Sequence, residues 1–561
     1  MTDLNRWTPA FLLSLRSYKL QDFWADLIAG LTVGLVALPL AMAFAIASGV
    51  PPQAGIYTAV VAGFVISALG GSRVQIGGPT GAFVVIVAGI IAKFGISGLL
   101  MVTAMAGAIL VVMGLTGLGT AVKFIPRPIT IGFTNGIAIL IASTQIKDFL
   151  GLQIGTVPSE FVARMSMLAK NISTLQWHTV ALSTASLALI LFVPRLTRRI
   201  PGSIIALVLA TACVALFHLP VATIGSSFGG IPTGLPKISI PAFRPDLILP
   251  LLPSALTVAL LAAVESLLSA VVADSMTGDR HNSNMELVAQ GIANLFSPMF
   301  GGIPATGAIA RTATNVRSGA KTPVSGMIHA LTLLMILLVA APLARYVPLA
   351  TLAAVLFVVA YNMGEWKEIG VILRLSAADK AVWAATFFLT VFADLTVAVE
   401  VGIALAALLY IYRIAQTTTV EPVTSEYIEE GRLHILQDKQ VPQYVTILRI
   451  HGPFLFGATD KIQAVTENLH RLPPVVILRL RNMTALDSTG MFAIEEVARQ
   501  LHASKRTLIL CGAREQPSQL IHQAEFAEVI GEENICENVQ HALRRAEEVY
   551  EGLEQKFVGK S

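Results

Sequence analysis

Gly77-Gly78-Pro79-Thr80-Gly81-Ala82-Phe83 and Gly301-Gly302-Ile303-Pro304-Ala305-Thr306-Gly307-Ala308-Ile309-Ala310-Arg311-Thr312 are two versions of one pattern. Each is a Gly/Pro-rich break that opens a short apolar segment. Matched interruptions in two halves of an apolar chain point to an inverted-repeat transporter whose binding site is built from broken helices near the membrane midplane. Glycine also serves simply to let helices pack closely; two matched copies favour the site. A helix start presents unpaired N–H groups and roughly half a positive charge, which suits an anion. If both breaks face the midplane, the N–H groups of Gly81, Ala82, Phe83, Gly307, Ala308 and Ile309 converge on one ligand. Small residues there let the backbone approach it.

Outward from these breaks the chain reads as membrane. Of its 561 residues 54% are hydrophobic and 13% are charged, with a mean hydropathy of +0.71. An ordinary soluble domain is about one quarter charged, so a soluble enzyme is excluded. Apolar runs recur at 26–48, 54–70, 79–93, 98–118, 129–147, 179–194, 202–219, 250–273, 286–300, 306–317, 324–342, 347–362, 378–393 and 395–413. Several fall short of the ~20 residues that cross hydrocarbon, as broken helices would. No Gly-Lys-Ser/Thr loop is present to drive transport with ATP.

Charge divides the chain. Up to Ala415 there are 24 Lys and Arg against 15 Asp and Glu; from Gln416 onward there are 15 against 20. The expectation is a transmembrane domain over 1–415 and a soluble tail over 416–561. Lys123, Arg127, Arg195, Arg198, Arg199, Arg280, Lys321, Lys367, Arg374, Lys380 and Arg413 fall in loops on one side, which places both termini in the cytoplasm. The N-terminus lacks a small-residue cleavage site, so no removable signal peptide is expected. The tail alternates β-rich runs from Tyr444, Val475 and Thr507 with a helical pattern at 491–503, a small α/β domain. Asp487-Ser488-Thr489-Gly490 lies between strand and helix and reads either as a helix cap or as a regulatory phosphoacceptor loop at Ser488. Cys213, Cys511 and Cys536 have no metal-like spacing, and neither a metal site nor a disulfide framework is expected.

Two ionisable residues stand deep in the apolar body. Arg311 lies one helical turn beyond Gly307, where a guanidinium needs a partner or a polar cavity, so it either sets the site's positive potential or is tied to carbonyls. Glu265 has no basic residue within ten positions on either side. Intramembrane carboxylates commonly relay protons or cations, and Ser266 and Ser269 would complete a polar pocket around it. A helix-to-helix hydrogen bond is the alternative. Pro39, inside the first run, suits a site-lining helix with a freed carbonyl. Asp394 and Glu400 read as interface residues.

The stretch from Ala37 to Phe83, the run from Gly301 to Thr322 and the Asp-Ser-Thr-Gly tail resemble the SulP (sulfate permease) family of anion transporters with a C-terminal STAS domain. The resemblance implies about fourteen segments in a 7+7 inverted repeat with core and gate domains, alternating access by an elevator-like motion, and a homodimer in lipid. It places the anion between the starts of segments 3 and 10, at Gly81–Phe83 and Gly307–Ile309, and matches Arg311 and Glu265 to the family's charged site positions. Many sulfate-type members carry Gln after the segment-1 proline, where this chain has Leu40. The phrases at 145–153 and 290–294 look closest to proton-coupled C4-dicarboxylate transporters of bacterial inner membranes. The expectation is therefore dicarboxylate uptake with H⁺, more than Na⁺, coupled at Glu265 and Ser269, with sodium- or proton-coupled bicarbonate or sulfate transport, or uncoupled anion exchange, as the alternative. Apart from the coupling ion no cofactor is implied. A cytoplasmic regulatory protein at the STAS domain is a further expected partner, and nothing calls for nucleic acid.

Overall fold

The computed structural model describes residues 7–120, 126–155, 157–158, 160–196, 201–232, 234, 238–239, 244–393, 395–422, 441–462 and 472–558. Lys123, Arg198, Arg199 and Asp394 lie outside the described residues, as does the side chain of Glu400. The chain divides into two compact units, 1–404 and 405–561, a short way before the charge boundary.

The first unit is helical: α1 Ala10–Leu15, α2 Leu20–Ala47, α3 Pro52–Leu69, α4 Val84–Leu115, α5 Arg127–Leu150, α6 Phe161–Lys170, α7 Trp177–Leu196, α8 Gly202–Phe217, α9 Ile224–Phe228, α10 Ile248–Thr277, α11 Ser283–Phe296, α12 Ile309–Arg317, α13 Val324–Ala344, α14 Leu349–Met363, α15 Trp366–Ile372 and α16 Ala377–Phe392. α17, Leu395–Thr417, runs across the boundary between the units. Among the described residues eight helical stretches are long and apolar enough to cross a membrane. Every expected apolar run falls on a helix, and 79–93 and 98–118 fall on two helical stretches of α4 that are separated at Gly95, where the backbone leaves the helix with φ 70°. That left-handed conformation is one glycine tolerates. α2 passes through Pro39 without ending.

The packing carries a two-fold plan. α13 packs on α2 and α3 as α4 packs on α10 and α11, and α16 packs on α5 as α7 packs on α14. These contacts of one half thus have counterparts in the other, and α5 against α14 is its own counterpart. Close crossings rest on small residues, as membrane helices require without a hydrophobic drive between them. At the crossing of α4 and α11 two glycines face each other: a Cβ on Gly107 would stand 2.7 Å from the Gly291 carbonyl, and one on Gly291 would stand 2.6 Å from the Gly107 carbonyl.

The second unit holds a five-stranded sheet in the order β3-β4-β5-β6-β7, with β3 Thr419–Pro422, β4 Val445–Phe454, β5 Val475–Leu486, β6 Thr507–Cys511 and β7 Ile535–Cys536. β3 is antiparallel to β4 and the other pairs are parallel. One apolar face packs Met491, Ile494, Val497 and Leu501 of the helix Ser488–Ala503, and the other packs Ala542 and Ala546 of the helix Val539–Val558. Asp487 caps the first of these helices, accepting the Gly490 N–H at 2.7 Å and the Phe456 N–H at 3.1 Å, while Ser488 and Thr489 are exposed.

Gly291→Leu is expected to separate α4 from α11, seen as a lost monodisperse peak in detergent and a fall in melting temperature of several degrees. In the sheet, burial pushes the Cys511 thiol up to about 12. At pH 8 an alkylating reagent should therefore leave Cys511 unmodified in native protein and label it in urea, as read by peptide mass.

Candidate anion site

The two quoted stretches meet. Gly77–Gly78 forms β1 and Thr306–Gly307 forms β2, and they pair antiparallel with Gly77 opposite Gly307 and Gly78 opposite Thr306. Beyond β1 a 3₁₀ turn over Gly81–Phe83 runs into α4; beyond β2, α12 begins at Ile309. Glycine is required in this pairing, because a Cβ on Gly307 would overlap the Gln75 amide and one on Gly78 would stand 2.7 Å from Arg311 Nη1.

Polar side chains of α10 and α12 hold the pair in place. Gln75 Nε2 donates to the Ser266 carbonyl at 3.0 Å and to Ser266 Oγ at 3.1 Å. Thr306 Oγ1 donates to the Ala262 carbonyl at 2.9 Å. Thr312 Oγ1 accepts the Ile76 N–H at 3.0 Å and lies 3.0 Å from Ser269 Oγ. Asn315 Nδ2 donates to the Val74 carbonyl at 2.9 Å.

These contacts correct three sequence expectations. The Gly307 N–H donates to Ser266 Oγ at 3.2 Å and the Ala308 N–H to the Ile76 carbonyl at 2.8 Å, so neither amide is available to an anion. Ser269 is engaged by Thr312 and braces the strand pair instead of joining a pocket with Glu265. Among the described residues the N–H groups of Gly81, Ala82, Ile309 and Ala310 have no acceptor, as the first positions of helices leave them. The Phe83 N–H reaches the Thr80 carbonyl at 3.4 Å, and its ring belongs to the apolar core.

The two charged residues act on one dipeptide. Arg311 Nη2 donates to the Pro79 carbonyl, and Thr80 Oγ1 donates to Glu265 Oε2 at 2.8 Å. Arg311 is buried and Glu265 is partly buried. Pro79-Thr80, the peptide that leads into Gly81, is thus held by a cation from α12 and an anion from α10. Sequence reasoning singled out Arg311 and Glu265 and missed their partners; the Pro-Thr inside the first break was the available signal. In front of Gly81 the surface is apolar: a Cβ there would stand 3.2 Å from Ile141, 3.3 Å from Phe44 and 3.5 Å from Met363 Sδ. Leu40 packs with Ile190, Ala206, Ala354 and Val355 of α7, α8 and α14. A cavity of about 700 Å³ opens a turn or so further along the same helices, past Ala88 of α4 and Thr144 of α5, and is also lined by Lys147, Asp148 and Arg164.

The profile of the Sulfate permease family matches residues 23–386, and that of the STAS domain matches residues 437–542. The chain is 42% identical to the putative sulfate transporter YvdB of Bacillus subtilis, across 93% of this chain and 98% of that protein. It is 30% identical to the bicarbonate transporter BicA of Picosynechococcus, across 93% of this chain and 94% of that one. The solved transmembrane domain of a cyanobacterial BicA superposes with a TM-score of 0.61 at 32% identity, covering 70% of this chain and 98% of that one. The overall structure of SLC26A9 superposes with a TM-score of 0.84 at 20% identity, covering 98% and 94% of the two chains, and shows the shared fold.

Fold and relatives together define a multi-pass membrane anion transporter with an appended STAS domain, not an enzyme. The chain belongs to the sulfate permease family. The relatives named here are sulfate and bicarbonate transporters, so the dicarboxylate resemblance gains no support and is set aside.

Gly81→Val should raise the KM for the transported anion at least tenfold, about 1.4 kcal/mol, with an unchanged elution profile and melting temperature. Gly307→Val should instead fail to yield folded protein, because Gln75 occupies the space.

Proposed function

We propose that the chain takes up a small monovalent oxyanion of the bicarbonate class, coupled to a cation held at Glu265, with the anion bound by backbone amides. The observation that carries this reading is the pair of helix starts at Gly81-Ala82 and Ile309-Ala310, whose N–H groups lack acceptors, on either side of the Pro79-Thr80 peptide fixed by Arg311 and Glu265. Arg311 and an ionised Glu265 cancel. What remains is the field of two helix starts, about half a positive charge each, which balances one negative charge better than two. Leu40 in place of a polar side chain supports the same choice. Sulfate is the second reading, and the name of the 42% identical relative favours it.

Glu265 accepts a hydrogen bond from Thr80 and has no Lys or Arg bonded to it among the described residues. A proton or Na⁺ arriving with the anion would bind at this carboxylate, and the preference here is for H⁺. The reading places the protein in a bacterial cell membrane with both termini cytoplasmic, as a homodimer moving by an elevator-like exchange of access. Ser488, exposed at a capped helix start, is the position where the tail would meet a regulatory protein or be phosphorylated.

Proteoliposome uptake of labelled bicarbonate, sulfate and fumarate, each with and without a proton or sodium gradient, tests the reading. Bicarbonate accumulation driven by one gradient is expected; sulfate accumulation alone would select the second reading, and fumarate alone would overturn both. Glu265→Gln should keep anion binding and lose the response to the gradient. A mutant still accelerated by external acid or Na⁺ would show that the coupling ion travels elsewhere.

A further inference from the structure

Beside the strand pair lies a cluster of buried polar atoms that the transport reading does not use. His329 of α13 is fully buried, and neither ring nitrogen has a hydrogen-bond partner among the described residues. Two other buried groups nearby share this property. Arg311 uses Nη2 on the Pro79 carbonyl and leaves Nη1 without an acceptor, and Ser67 Oγ on α3 has no partner.

The glycines show how close these groups lie. A Cβ on Gly63 would stand 3.8 Å from His329 Cε1 and 3.0 Å from the Gly77 carbonyl. A Cβ on Gly78 would stand 2.7 Å from Arg311 Nη1 and 3.5 Å from Ala59 Cα. Ala59 and Gly63 are one turn apart on α3, and Ser67 is one turn further, beside Gly326 and so within a turn of His329 on α13. The imidazole, the guanidinium and the hydroxyl therefore face one seam between α3 and α13, lined by Ala59, Gly63, Gly77, Gly78 and Gly326, which have almost no side chains to fill it.

Buried polar groups in folded proteins find a partner in protein or ordered water, and a buried water needs space and two to four polar contacts. This seam offers the polar contacts. We propose that His329 is a positioning residue for Arg311: one ordered water accepts an N–H from Nη1 and donates to one ring nitrogen, while the other ring nitrogen is turned toward Ser67. The guanidinium is then held from both sides, by the Pro79 carbonyl through Nη2 and by His329 through Nη1. Its aim at the peptide that leads into Gly81 no longer depends on one hydrogen bond.

The inference rests on the proposed anion site, and the test separates the two. Uptake of labelled bicarbonate, or of sulfate if wild-type proteoliposomes accumulate that instead, is measured for wild type, Arg311→Gln, His329→Leu, His329→Gln and the double variant Arg311→Gln with His329→Leu. His329→Leu, which keeps volume and removes hydrogen bonding, should raise KM about tenfold with Vmax within twofold and an unchanged elution profile. His329→Gln, which keeps a donor and an acceptor, should restore KM to within about threefold. In the double variant the second change should add nothing to the first. A wild-type KM in His329→Leu, or an effect that multiplies with that of Arg311→Gln, would overturn the positioning role. So would a melting-temperature loss with no change in KM. If Arg311→Gln itself transports normally, the anion-site reading fails and the positioning role fails with it.

Discussion

Two residues pairing with two residues hold this transporter's site together. β1 and β2 are the shortest strands a ladder allows, and they come from opposite halves of the chain. Buried backbone at membrane depth is tolerated only where every polar group finds a partner. Polar side chains of α10, α12 and the two breaks are spent on that requirement: Gln75, Ser266, Ser269, Thr306, Thr312 and Asn315 each bond to the pair, to its neighbouring peptides or to one another. The strands fix where the helices that start at Gly81 and Ile309 begin.

The two halves repeat in backbone and not in side chains. The packing of α13 on α2 and α3 matches that of α4 on α10 and α11, yet both charged residues of the candidate site, Arg311 and Glu265, belong to the second half. The position in the first half that corresponds to Arg311, four residues beyond the glycine that opens the helix, is Val85. The free amides are offset as well: Gly81 and Ala82 lack acceptors among the described residues, whereas their counterparts Gly307 and Ala308 donate to Ser266 and Ile76.

Much of the membrane architecture was legible in the chain because hydropathy and Gly/Pro punctuation report directly on spanning segments. Each of the fourteen runs has its own helical stretch, 79–93 and 98–118 being the parts of α4 on either side of the non-helical Gly95. In the tail, β-rich runs marked β4, β5 and β6, while β3 and the two-residue β7 gave no such signal. In the site, Gly81, Arg311 and Glu265 could be read from residue type and depth. The fates of the Gly307 and Ala308 amides could not, since Ser266 and Ile76 are distant in sequence and compete for them only after the halves fold together. For the same reason His329 looked like one polar residue on an apolar helix until α3 and Arg311 were placed beside it.

The pairing of Arg311 with Glu265 on one dipeptide also bears on how the protein meets the membrane potential. A unit charge carried through 100 mV gains or loses about 2.3 kcal/mol, a substantial bias on any conformational change. With one guanidinium and one carboxylate fixed to the same peptide, the site's own side chains contribute no net charge to the field as they move. The voltage then acts only on the cargo and its companion ion. A monovalent anion crossing with one cation would feel none of it, whereas the same scaffold carrying a dianion with a single cation would be slowed or driven by the potential.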